Sequence, residues 1–162
     1  MSEQTAVANK NGAEAGRDPH REAWIAMTRT HAAVSGRLQE ALTTAGLPPL
    51  AWFEVLATLD RAPERRMKMG ELAEALVITR GGLTKLVDRL IKAGLLERTF
   101  CETDRRVSYA TPLPAGVELL EEMRPVVRGE LAVAFSSNLT VEQAEELQAT
   151  LEQIRGSACG VE

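Results

Sequence analysis

Two cysteines in 162 residues, Cys101 and Cys159, are too few for a disulfide framework or a thiolate metal set. A reducing cytoplasm is therefore the expected setting. Histidine is equally scarce, with only His20 and His31, so the chain has no metal-ligand spacing, and neither a metal nor another cofactor is expected. There is no nucleophile motif and no phosphate-binding loop, which leaves an enzyme without support. No apolar run approaches the ~20 residues of a membrane span, and no charged-then-apolar leader opens the chain, so neither insertion nor export is expected. Aromatic residues make up only 4%. The formal net charge of −4 excludes a protein that coats nucleic acid through overall basicity, but not one with a local basic patch.

What remains is 44% apolar and 26% charged, the composition of a folded protein of one domain or two small subdomains. Abundant Leu and Ala favour helix over sheet. Residues 1–19 are rich in Asn, Gly, Ala, Ser and Glu without an apolar period and read as a disordered tail. A long helix is expected from about Pro19 to Gly46. Trp24, Met27, His31, Val34, Leu38, Ala41 and Ala45 recur at alternating threes and fours along it, the seam of a helix packed on another helix. A second helix follows from Pro49 to Arg61, with Trp52, Val55, Leu56 and Leu59 on its apolar face.

Met67-Lys68-Met69 alternates like a very short strand. A short helix from Gly70 to Leu76 places Leu72, Ala75 and Leu76 inward. After Val77 and Ile78 comes the stretch that organises the chain. Thr79 is placed to cap a helix, and Gly94 to end it in the left-handed conformation. Leu83, Leu86, Val87 and Leu90 form one apolar stripe. Arg80, Thr84, Lys85, Asp88, Arg89 and Lys92 fall on the other side. Two helices joined by so short a turn, the second amphipathic and cationic, make a helix-turn-helix.

Leu95–Cys101 and Arg105–Thr111 then read as two strands around the turn Glu102-Thr103-Asp104, a hairpin with a charged tip. Met67–Met69 is the expected third strand. From Arg80 to Arg106 there are seven Lys or Arg against four acids, a local excess of positive charge in an acidic chain. A long helix is expected from Ala115 to Ser136, with a seam of Val117, Leu120, Met123, Val127, Leu131, Ala134 and Phe135 and a kink at Pro125. Thr140 and Gln143 form a capping box for a last helix, on which Ala144, Leu147, Leu151 and Ile154 share one face. The expected fold is mainly α with a small β wing: a winged helix-turn-helix flanked by helices whose seams are best buried against each other and against a second copy.

This order resembles the MarR family of bacterial transcriptional regulators. The likeness rests on Val77-Ile78-Thr79-Arg80 leading into Leu83-Thr84-Lys85-Leu86-Val87-Asp88-Arg89-Leu90, then Gly94-Leu95-Leu96-Glu97-Arg98, Asp104-Arg105-Arg106 and Leu113-Pro114-Ala115-Gly116, and covers about residues 20–155. It implies a homodimer held by helices in 20–62 and 113–156, and a DNA-binding domain in 63–112. Two winged helices would then meet a pseudo-palindromic site on double-stranded DNA. The resemblance places Arg80, Gly81 and Gly82 at base edges, and Thr84, Lys85 and Arg89 at phosphates or bases, with Thr79 counted among the DNA-binding residues. Arg106, beside Arg105, matches a minor-groove arginine held by Asp104, and Arg98 takes a supporting or phosphate-binding role. The implied function is a cytoplasmic, sequence-specific repressor.

Two departures stand out. Gly81-Gly82 supplies no side chain to read a base and costs ~1 kcal/mol of helix stability per Gly relative to Ala. Leu113 stands where the family often has a capping hydroxyl. Family members commonly bind small, often anionic aromatic molecules between the dimer helices and the winged helix, so the resemblance makes Trp24, His31, Trp52, Phe53, Glu54 and Met123 the candidates for an effector pocket. Two other readings are a winged-helix module that binds protein, and a thiol-sensing regulator that uses Cys101.

Overall fold

A computed structural model describes residues 18–100, 104 and 107–158. Most of the expected tail, both cysteines, and Arg105 and Arg106 lie outside the described residues. Nine main elements follow one another: α1 (Pro19–Thr44), α2 (Leu50–Arg61), β1 (Met67–Lys68), α3 (Met69–Ala75), α4 (Arg80–Lys92), β2 (Leu96–Phe100), β3 (Ser108–Pro112), α5 (Pro114–Ala134) and α6 (Val141–Ala158). No helix among the described residues is long and apolar enough to cross a membrane.

The chain divides into two compact units, residues 1–33 and 34–162. The described part of the first is helical from Pro19, and none of its side chains is buried. Trp24 is 62% exposed, and the Thr28 hydroxyl donates back to the Trp24 carbonyl at 2.9 Å. Of the seam residues in this stretch, Trp24 and His31 are exposed and Met27 is half-buried.

The second unit holds two apolar cores. The larger gathers Val55, Leu56 and Leu59 of α2, Leu72 and Ala73 of α3, Leu83, Val87 and Leu90 of α4, Leu95 and Leu96, Ala110 of β3 and Leu120 of α5. Each fully buried Leu or Val of this set contributes on the order of 1.5–3 kcal/mol. The smaller core joins Leu38 and Leu42 of α1 to Met123 and Val127 of α5. Arg37 and Glu130 pair beside it at 2.6 Å. Pro49 is the N-cap of α2 rather than its first helical residue, and offers no side-chain cap. The Leu50 N–H donates instead to Gln39 Oε1 at 3.0 Å, so a side chain of α1 caps α2.

β1 and β2 flank β3 in an antiparallel sheet of order β1-β3-β2. The third strand read from Met67 is therefore real but two residues long, and α3 begins at Met69. On α3 it is Ala73 that is buried and Ala75 that is exposed, the reverse of the expectation. β3 starts at Ser108 and takes in Pro112, whose Cα partner is Leu96 at the sheet's end. α5 continues as one helix past Pro125. α6 opens on the expected reciprocal pair, with the Thr140 N–H to Gln143 Oε1 at 3.0 Å and the Gln143 N–H to Thr140 Oγ1 at 3.3 Å. Its apolar face is not covered: Val141, Leu147, Leu151 and Ile154 are all exposed.

Candidate nucleic-acid interface

The site is built on α4. Its inner residues Leu83, Val87 and Leu90 are fully buried in the larger core, which fixes the rotation of the helix. Arg80, Gly81, Gly82, Thr84, Lys85, Asp88, Arg89 and Lys92 are then all exposed on the other side. Thr79 caps the start as expected, since the Gly82 N–H donates to Thr79 Oγ1 at 3.1 Å. A Cβ on Gly82 would sit 3.1 Å from that same oxygen, so the glycine leaves room for the cap, whereas a Cβ on Gly81 would meet open space. The Thr84 hydroxyl turns back to the Arg80 carbonyl at 2.9 Å.

The turn between α3 and α4 closes on two hydrogen bonds, Val77 N–H to Glu74 O at 3.2 Å and Ile78 N–H to Ala73 O at 3.1 Å. This is a Schellman ending, and it puts Val77 at φ 54°. Gly46 and Gly94 hold the matching positions after α1 and α4, at φ 71° and 73°. A β-branched side chain in the left-handed region is strained. Val77 is held there because α3 must stop within one residue for α4 to start.

The hairpin is tied directly to α4. Arg98 of β2 reaches Asp88 of α4 at 3.1 Å, with the Arg98 side chain 23% exposed. Arg98 thus pairs with a residue of α4, a partner that the spacing of charges along the chain did not reveal. Asp104 lies exposed beyond the end of β2. Arg105 and Arg106 cannot be placed, being outside the described residues.

Sequence reading also missed a groove of about 430 Å³ between α3, the start of α4 and the base of the hairpin. Its lining includes two cations, Lys68 and Arg80, two acids, Glu71 and Glu74, and the hydroxyls of Thr84 and Ser108. Lys68 pairs with Glu71 at 3.0 Å, and its strand partner Tyr109 carries the Arg66 guanidinium 4.6 Å from its ring centre. Strand pairing, not sequence distance, brings Lys68 and Ser108 to Arg80.

The effector candidates are spread over different environments. Met123 is completely buried beside Leu38, Leu42 and Val127. Phe53 is half-buried and packs on both cores, Trp52 is half-buried against the larger one, and Glu54 is exposed. Trp24 and His31 are exposed on the first unit. Among the described residues no group of three His, Cys, Asp or Glu could hold a metal ion.

Comparison with known proteins bears on the same elements. A model described as "MarR family" matches residues 45–107, from just before α2 to just before β3. The HTH-type transcriptional regulator MhqR of Bacillus subtilis is 24% identical over 132 residues, which span 82% of this chain and 86% of the relative. AbsC of Streptomyces coelicolor, described as a MarR family transcriptional regulator, superposes with a TM-score of 0.79 at 26% identity, covering 90% of this chain and 97% of its own. Sco3205 of the same organism, described in the same words and solved in complex with DNA, gives a TM-score of 0.76 at 27% identity over 85% and 86% of the two chains.

Proposed function

The chain belongs to the MarR family of transcriptional regulators, and from that premise we propose a homodimeric, sequence-specific repressor that a small aromatic or anionic molecule releases from duplex DNA. The observation that carries the reading is the coupling of two surfaces. The exposed cations of α4 and the hairpin beside them are held in one frame by Asp88 and Arg98. In this reading Arg80, Gly81 and Gly82 approach base edges in the major groove, with Thr79 capping the helix beside them, and Gly81 lets the backbone come close. Thr84, Lys85 and Arg89 meet phosphates or bases. Arg98 supports the hairpin, while Arg105 and Arg106, with Asp104, reach the adjacent minor groove, where an arginine reads groove width more than base identity. Residues 63–112 form the DNA-binding domain.

Dimerisation is assigned to 20–62 and 113–156. Support comes from the exposed apolar residues on α1 and α6, which a second copy would cover. Two copies related by a two-fold axis call for a pseudo-palindromic operator. A compact dimer seated there excludes other proteins from the same stretch of duplex, which is repression by occupancy. Release requires an effector that binds the DNA-competent and DNA-incompetent dimers with different affinity. Within the second unit, Trp52, Phe53, Glu54 and Met123 are the proposed pocket residues. The protein would act in the cytoplasm, where the DNA is, by binding and without catalysis.

Selection of bound sequences from random duplex DNA tests the reading. A pseudo-palindrome should emerge, bound with an affinity that falls steeply as salt rises. Arg106→Ala should lose most of that affinity while the melting temperature holds. Recovery of no preferred sequence would overturn the proposal.

A further inference from the structure

Among the described residues of 63–112, three large apolar side chains stand exposed: Val77, Ile78 and Phe100. Val77 and Ile78 are accounted for by the tight turn before α4. Phe100, at 62% exposure, is not accounted for by packing among the described residues. Its position follows from strand register. Leu96 faces Pro112, Arg98 faces Ala110 and Phe100 faces Ser108, and residues two apart on a strand share a face with their cross-strand partners. On that face Leu96 and Ala110 are buried in the core, Arg98 is paired to Asp88 of α4, and Ser108 lines the groove with Arg80 and Thr84. Phe100 therefore lies on the α4 side of the hairpin, one step past Arg98 toward the tip and beyond the end of the core. β2 is also an edge strand, where an exposed apolar side chain invites unwanted pairing. Such a residue calls for a partner that covers it in the working state.

We infer that Phe100 packs against the deoxyribose edge of the duplex that α4 and the hairpin grip together. The inference rests on the DNA-binding reading and adds to it an apolar contact among cationic ones. The wall of a DNA groove alternates phosphates with sugar carbons. The protein's own groove carries Glu71 and Glu74 as well as Lys68 and Arg80, with Lys68 paired to Glu71. The phosphates therefore fall to the exposed Arg80, Lys85 and Arg89 of α4, and Phe100, opposite Ser108 in the ladder, suits the sugars. The two kinds of contact respond differently to salt. Cation–phosphate contacts release counterions and weaken as salt rises, whereas removal of apolar surface from water does not.

The test compares Phe100→Ala, Phe100→Leu and Lys85→Ala with the wild-type chain on the selected duplex, by fluorescence anisotropy across a salt series. Phe100→Ala should bind about tenfold more weakly at every salt concentration, the loss expected from part of a buried phenyl ring, on a line parallel to wild type. Phe100→Leu should stay within about threefold, since it keeps most of the apolar area. Lys85→Ala should instead flatten the slope by about 0.9, one phosphate contact. Because the ring is exposed, the melting temperature of Phe100→Ala should equal that of wild type. An unchanged affinity, a flattened slope or a lowered melting temperature for Phe100→Ala would each overturn the inference while leaving the DNA-binding reading in place. Failure of the wild-type chain to bind any duplex would remove both.

Discussion

The winged helix-turn-helix and the last helix use apolar residues at the same spacing and end in opposite states. On α4, Leu83, Val87 and Leu90 are buried to 1% or less within a single chain. On α6, Leu147, Leu151 and Ile154 recur just as regularly, and no residue of the helix is buried. The difference lies in the surroundings. α4 is enclosed by α2, α3, the sheet and α5, which follow one another closely along the chain and close the larger core without help. No other described element of the second unit buries a residue of α6. Helical periodicity states that a face wants covering. It does not state whether the cover comes from the same chain.

The largest effect is expected where α5 meets the winged core. A Cβ at Gly116 would lie 2.2 Å from the Leu95 carbonyl oxygen and 3.3 Å from Leu56 Cδ2. That oxygen is already committed, accepting the Leu113 N–H at 2.9 Å. Gly116→Ala should cost about 3 kcal/mol, toward the upper end for overpacking, read as a lowered urea midpoint. A midpoint equal to wild type would show that the self-sufficient core is looser than its burial implies. The next effect is on the other side of the comparison. Leu151→Glu with Ile154→Glu should yield folded monomers in sedimentation and weaken operator binding about a hundredfold, ~2.7 kcal/mol, because one winged unit would bind alone. Dimers that survive the pair of changes would assign the open face of α6 to something other than a second copy.

Smaller effects sharpen the contrast within the winged unit. Val77→Gly should raise stability by about 1 kcal/mol, since glycine adopts the left-handed conformation at no steric cost. Thermal unfolding would measure it. The smallest effect concerns the start of α6. The Glu142 carboxyl is held below the usual carboxylate range by a backbone hydrogen bond and then by the Thr140 hydroxyl. A depressed carboxylate stabilises the folded state above its unfolded pKa and ceases to do so as pH falls through its folded value. Amide exchange in the first turn of α6 should therefore show less protection in acid than at neutral pH, and Glu142→Gln should remove the difference.

The sequence made the elements and the face of α4 legible because both depend on local rules. Thr79, Gly94 and the Thr140–Gln143 pair signal helix ends within a few residues, and four apolar residues set the rotation of α4. Val77 was not legible as a helix stop. A β-branched residue gives no left-handed signal, and only the need for a three-residue turn forces it there. The choice between Ala73 and Ala75 was equally hidden, because on a helix of seven residues either alanine fits the period. At the site, the cations of α4 could be read directly. Its partners could not: Asp88 with Arg98, and Lys68 and Ser108 beside Arg80, meet only after the strands have paired in their particular register.

The most direct measurement is the number of chains bound to the duplex recovered by selection, obtained by sedimentation equilibrium with the DNA absorbance followed separately. Two chains on each pseudo-palindromic duplex, and two again when one half-site is inverted only at much higher protein concentration, is the expected result. One chain per duplex, bound equally well to either arrangement, would contradict the paired presentation of α4 and its hairpin.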